Sequence, residues 1–258
     1  MKVTIIGSGN VATVLGKRML QNGFEITEVY SRKIEHASAL AAVLLAKPIS
    51  NVQQISDDAD VYLLAVADKA LIELAAELVL PGKLVIHTAG AVSIDVLKSI
   101  SNNYGVLYPI QSMRKEMDIA TPISFLIDAT NESVLAQIKT LAYTISDTVE
   151  KGNDEQRLKL HVAAVFVCNF VNFMYLQSAN FCENEKIDFS LLQPLIEETA
   201  NRLRHAHPAE VFTGPAVRGD KLTIEKHVQV LSAYPQMQEL YQRLTDSIIA
   251  FAASNQLK

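Results

Sequence analysis

The sequence predicts an α/β domain, a mostly parallel sheet with helices on both faces, followed by an all-α region. Three observations carry that prediction. Short β-rich runs alternate with helical stretches through the first half, those runs are almost continuously apolar, and no strand signal returns behind residue 150. Continuous apolar runs are what strands need when helices cover both sheet faces.

In chain order the expected strands are KVTII at 2–6, FEITEVY at 24–30, a weak one near KPIS at 47–50, VYLLAV at 61–66, KLVIH at 83–87 and YGVLY at 104–108. Two more are expected at ISFLI, 123–127, and near TISDT, 144–148. From residue 150 to 181 helical spacing runs on for many turns, so the apolar stretch at 162–176 reads as a buried helix. Further helices are expected at 188–205, 222–233 and from 235 onward, with TGPAVRGD at 213–220 as a loop. This places the domains at 1–150 and 151–258. The 162–176 helix has more apolar face than a small helical domain can cover, which predicts a homodimer through that region.

Composition narrows the partners. The net charge is −5, with 49% hydrophobic and 20% charged residues, so neither nucleic acid nor an anionic membrane is expected as a partner. The apolar stretch is broken by Asn169 and Asn172 and falls short of the ~20 residues that cross a bilayer. The N-terminus lacks the features of a signal sequence. Cys168 and Cys182 lie in apolar helical sequence and read as buried thiols of a reducing cytoplasm.

The stretch VTIIGSGNVA is a strand running through a glycine loop into a helix. Gly7 permits the tight turn, Gly9 lets the backbone approach a pyrophosphate, and Ala12 lets the helix lie against the sheet. Unpaired N–H groups at the helix start and its positive end then hold the anion without a basic side chain, with Gly7, Ser8, Gly9, Asn10, Val11 and Ala12 as the expected cofactor-binding residues. This is a Rossmann-like dinucleotide site, and an ordinary tight βα turn is the plain alternative. At the end of the second strand an NAD site usually carries a carboxylate, but here stand Tyr30, Ser31 and Arg32. Ser31 can donate to a ribose phosphate and Arg32 can pair with it, which predicts NADP(H). The competing reading makes Ser31 a helix cap and leaves the basic residues solvated.

Two more strand ends reach the same edge. Ala65, Val66 and Ala67 offer small walls to the cofactor, with Asp68 as a candidate helix cap, and His87 and Thr88 lead out of the next strand. On the long helix, at 100° per residue, Asn172 lies roughly 20° and Asn169 roughly 80° from His161, forming a polar stripe on an apolar helix. Thr213 and Arg218 could meet an acid or phosphate, against a plain Arg218–Asp220 surface pair. His205 and His207 lack the carboxylate company of a metal site, so no metal is expected.

With those residues in view, the chain resembles the NADP oxidoreductase family that pairs a Rossmann-like domain with a C-terminal helical domain of unknown function. The resemblance spans essentially the whole chain. It rests on GSGNVA at 7–12, YSR at 30–32, LAVAD at 64–68, HTAG at 87–90, YPIQSM at 108–113, LHVAAVFVCNF at 160–170 and TGPAVRGD at 213–220. The family is similar to the wider group of pyrroline-5-carboxylate reductases, ketopantoate reductases and 6-phosphogluconate-type dehydrogenases. That likeness implies a helical domain that often dimerises, an active cleft between the domains, and hydride transfer between NADP(H) and a small carbonyl or imine compound.

The departures are Tyr108 where the family usually has His, Ala89 for Ser and Ala67 for Pro. Val165 stands where the wider group often carries a Lys four residues before the helix Asn. Polarisation of the substrate then falls to His161, Tyr108 or a water held by Asn169. Gln111 and Ser112, with His87 and Asn172, are expected to face substrate, and Arg218 to bind its acid group. A catalytically silent NADP-binding sensor is the rival reading, supported by the missing lysine.

Overall fold

In the computed structural model, which describes residues 1–255, the chain divides into two compact units. The first is Met1–Phe170 and the second begins at Val171. The first unit is built on an eight-stranded sheet in the order β3-β2-β1-β4-β5-β6-β7-β8. Its strands are β1 Lys2–Ile6, β2 Glu25–Tyr30, β3 Lys47–Ile49, β4 Val61–Leu64, β5 Leu84–His87, β6 Asn103–Ile110, β7 Ser124–Ala129 and β8 Thr148–Lys151. All neighbours run parallel except β6 and β7, which pair antiparallel with Tyr108 opposite Leu126. The chain leaves β1 to build outward through β2 and β3, then returns to β4 on the other side, so a topological switch lies between β1 and β4.

Alternation along each strand fills two cores. Val3, Ile5, Leu63 and Ile86 point to one face with α1 (Asn10–Gln21), α2 (Ile34–Leu44) and α4 (Glu132–Ile145). Ile6, Tyr62, Leu64 and Val85 point to the other, against α3 (Asp68–Ala75) and the segment around Leu97 and Ile100. A Cβ on Gly16 would stand 2.6 Å from the Leu44 Cδ1 methyl and 2.8 Å from that of Ile5, so glycine lets α1 lie against the sheet without displacing either side chain. Arg18 is buried on α1. Its guanidinium donates to the carbonyl of Ile145 at 2.8 Å, that of Ile119 at 2.6 Å and that of Thr121.

The expected strands form, the last of them shifted to Thr148–Lys151 because α4 runs on through Ile145, and the helical half differs from its sequence reading in several ways. The long helix begins at Asp154, capped by a reciprocal Asn153–Gln156 box, because Thr148–Lys151 is taken by the sheet edge. It is not uniformly α: after α5 (Asp154–Ala164) a π-helical segment, Val165–Phe170, precedes α6 (Val171–Asn184). The extra residue per turn breaks the 100° arithmetic that placed His161, Asn169 and Asn172 on one stripe.

The helix is also not buried by its own chain. Val167 is 75% exposed and Phe166 61%, and Cys168 is only half-buried while Cys182 is buried. Without interruption the helical stretch spans 154–184, long and apolar enough by length and composition to cross a membrane.

Within the second unit, 188–205 resolves into a 3₁₀ turn and α7 (Gln193–Arg202). The expected loop at 213–220 contains a helical turn, α8 (Pro215–Arg218), entered through Gly214 and left through Gly219, both with positive φ. Asp220 does not pair with Arg218. Its carboxylate accepts from Thr223 N and Thr223 Oγ1, capping α9 (Lys221–Val230). The last helix is α10 (Pro235–Asn255).

Candidate functional site

The C-terminal edges of β1, β2, β4 and β5 open onto a cavity of about 860 Å³, at the upper end of small-molecule sites. Its floor is the β1–α1 loop. Gly7 has φ +129, and a Cβ there would stand 2.1 Å from the Ala65 carbonyl oxygen, so only glycine closes this turn. At Gly9 a Cβ would meet nothing within 4 Å, which leaves open space over the loop backbone. Helix α1 starts behind Gly9 with no side-chain cap and no acid in its first turn. Its leading N–H groups therefore face the cavity without a competing carboxylate, the donor set a pyrophosphate needs.

Along the wall, Ser8 Oγ donates to Ser31 Oγ at 2.9 Å, which leaves the Ser31 proton for another acceptor. Ser31 is not a helix cap, since Lys33 holds that place on α2. Arg32 extends over the mouth, 73% exposed, with Nη1 3.3 Å from Glu73 Oε2. Tyr30 lines the same end, its hydroxyl pKa raised by burial and by Glu77, against Arg32. Ala65, Val66 and Ala67 form the opposite wall, and Asp68 is the first residue of α3 with Ala67 at its cap position. The open backbone over Gly9, the uncapped helix start and the Ser31–Arg32 pair fit a dinucleotide bearing a 2′-phosphate.

The far end of the cavity is lined by Thr88, Ala89, Gly90, Tyr108, Pro109, Gln111 and His161. Tyr108, on β6, and His161, on α5, share a hydrogen bond of 2.9 Å between Oη and Nδ1, with their rings edge-on. Gly90 presses on both. A Cβ there would stand 2.9 Å from His161 Nδ1 and 3.0 Å from Tyr108 Cε2. Burial raises the Tyr108 pKa while Arg157 pulls it down.

Arg157 sits one turn before His161, 1% exposed, and donates to Val92 O and Asp154 Oδ1. Asp154 in turn accepts from Ile94 N. Burial acts to raise its pKa, but the hydrogen bonds from Ser93, Arg157 and Ile94 outweigh it and leave the carboxyl below its ordinary value. This clamp ties the 88–94 loop, which packs on the Tyr108–His161 pair, to the helix carrying His161.

The cavity thus gathers, of the residues expected from sequence, Gly7 to Val11, Tyr30 to Arg32, Ala65 to Ala67, Thr88, Tyr108, Gln111 and His161. Others lie elsewhere. Ala12 is fully buried on the core-facing side of α1, in keeping with its packing role. His87 is 0% exposed; Ala89 N donates to its Nδ1, and burial, then Arg157, hold its pKa down at about 3, so it is a neutral interior group rather than a substrate contact.

Gln111 spends its amide on the chain, accepting from Ser112 N and donating to Pro122 O. Ser112 borders a separate small recess with Arg114, Glu116 and Met117. Asn169 lies in the π-helical segment and is not part of the lining. Asn172, Thr213 and Arg218 belong to the second unit.

Sequence reasoning missed Gly90, Arg157, Glu73 and Glu77. HTAG and the i, i+4 spacings of Arg157 to His161 and Glu73 to Glu77 were the visible signals. Among the described residues no group of three or more metal-ligating side chains occurs.

A family profile described as "NADP oxidoreductase coenzyme F420-dependent" matches residues 2–90, and one described as "Domain of unknown function (DUF2520)" matches 123–248. The crystal structure of a "putative NADP oxidoreductase" from Bacteroides fragilis is 36% identical with TM-score 0.89, over 96% of this chain and 98% of that one. Pyrroline-5-carboxylate reductase from Streptococcus pyogenes shares the fold at 13% identity and TM-score 0.67, over 97% of this chain and 98% of that one. A reductive aminase from Aspergillus terreus, in complex with NADPH and ethyl-5-oxohexanoate, shares it at 15% and 0.69, over 99% and 94%. No curated protein matches.

Proposed function

Because the chain belongs to the NADP oxidoreductase family represented by the Bacteroides fragilis protein, we propose that it reduces a small carbonyl or imine compound, with Tyr108 and His161 delivering the proton. The observation that carries this is the 2.9 Å Tyr108–His161 hydrogen bond at the end of the cavity remote from Arg32. NADPH, when bound, supplies the hydride.

This chain's residues do the rest. The start of α1 binds the pyrophosphate, Ser31 and Arg32 take the 2′-phosphate, and the small residues of the β4 and β5 edges admit the ring. Tyr108 stays protonated because burial raises its pKa, and its hydroxyl donates where negative charge develops on the substrate oxygen or nitrogen. His161, in the tautomer protonated at Nδ1, donates to the phenol oxygen and releases the phenol proton for that task. The Streptococcus and Aspergillus proteins support the substrate class by their names, and a ketopantoate-type 2-oxo acid falls within it.

The same reading includes a homodimer through the helical region, in a reducing cytoplasm that suits two free thiols. Among described residues from Val171 onward only Cys182, Leu231, Thr245 and Ala252 are buried, too few for a unit of that size to hold a core alone.

The test is NADPH oxidation across a panel of 2-oxo acids and cyclic imines. Tyr108→Phe should cut turnover by ~10²-fold or more with NADPH affinity unchanged. Gly90→Ala should also lower turnover by displacing the pair. NADPH binding without turnover of any panel member would instead favour the silent sensor.

A further inference from the structure

The mouth of the cavity is bipolar. Arg32, Lys33 and His36 line its β2–α2 side, while Glu73 and Glu77 line its α3 side. One ion pair joins the two walls, Arg32 Nη1 to Glu73 Oε2 at 3.3 Å, and the second Glu73 oxygen lies 4.0 Å from Lys69. Glu73 stands in the last turn of α3, where the helix dipole disfavours a carboxylate and the turn itself holds no basic residue. Of its two cationic neighbours, Arg32 across the mouth is the nearer. Glu77 adds charge at the same end, where it and Arg32 act on the Tyr30 hydroxyl in opposite senses.

We propose that Glu73 is a cofactor-specificity residue that competes with the 2′-phosphate for Arg32 and so narrows the preference for NADPH over NADH. This inference rests on the NADP(H) reading of the cavity. A phosphate drawn to Arg32 has to share the guanidinium with Glu73 and sits near a like-charged group. NADH carries only a ribose hydroxyl at that place, so it neither breaks the pair nor meets that repulsion. Arg32 and Ser31 thus favour the phosphate, and the acidic wall subtracts from their effect.

Calorimetric titration of the full chain with NADPH, NADH, 2′,5′-ADP and ADP tests this without any substrate. Glu73→Gln is expected to tighten NADPH and 2′,5′-ADP about threefold, the scale of an exposed ion pair, with NADH and ADP unchanged. In an Arg32→Ala background, which itself weakens NADPH, the Glu73→Gln gain should shrink towards none. Unchanged or weaker NADPH binding in Glu73→Gln, with wild-type binding intact, overturns the competition alone. No NADPH binding by the wild type overturns both the competition and the cofactor reading beneath it.

Discussion

In the α/β unit Val3, Ile5, Ile86 and Phe125 are wholly shielded from solvent, whereas in the helical unit Phe173 is 46% exposed, Leu195 61% and Leu191 72%. The first unit closes its cores with its own residues because parallel strands and crossover helices bury both sheet faces at once. The second is a set of helices with little between them that is dry, and its apolar side chains face outward. Self-sufficiency in one part and an unpaired apolar surface in the other teach that the two units solve different problems. One lines a cavity, and the other carries an exposed apolar face that the proposed dimer would cover.

The widest difference is expected from truncating equivalent apolar side chains. Phe125→Ala should cost about 3–5 kcal/mol in denaturant unfolding, since it empties a sealed core. Leu195→Glu should cost little in a monomer but should dissociate the proposed dimer. Light scattering and thermal melts together check this. An unchanged mass and melting temperature for Leu195→Glu would mean that no second copy covers this face.

A smaller effect should mark the α/β unit through His87. Its pKa falls from the ordinary 6.5 to about 3 in the fold, so below 6.5 the unfolded chain takes up a proton that the folded one refuses. Stability is then full above that pH and declines as pH falls towards 3, by about 2 kcal/mol at a pH near 5. Unfolding of wild type and His87→Gln across this range should give a flatter pH dependence for the variant.

The smallest effect belongs to the helical unit. Asp220→Ala removes the α9 cap and should lower the unfolding midpoint slightly in the same denaturation assay. A much larger loss would show that α9 is anchored by more than its cap.

The glycine loop, the eight strands and the small-residue walls were legible because each is set by local rules: turn sterics at Gly7, apolar runs, and the polar break after Tyr30. The helical half was legible as helix but not in its phase. A π-helical insertion has no local pattern, so Val165–Phe170 was indistinguishable from α-helix, and the stripe drawn through Asn169 and Asn172 failed with it.

What the sequence determined by itself is the α/β architecture and a phosphate-holding loop with a basic residue at the second strand end, since backbone sterics and strand periodicity act over a few residues. Only the tertiary structure decided that Tyr108 meets His161 over 53 residues of chain, that Gly90 and Arg157 hold the pair in place, and that Glu73 reaches Arg32. Those pairings depend on which strand lies beside which and on where α5 and α3 cross the sheet edge, a long-range arrangement that no single stretch encodes.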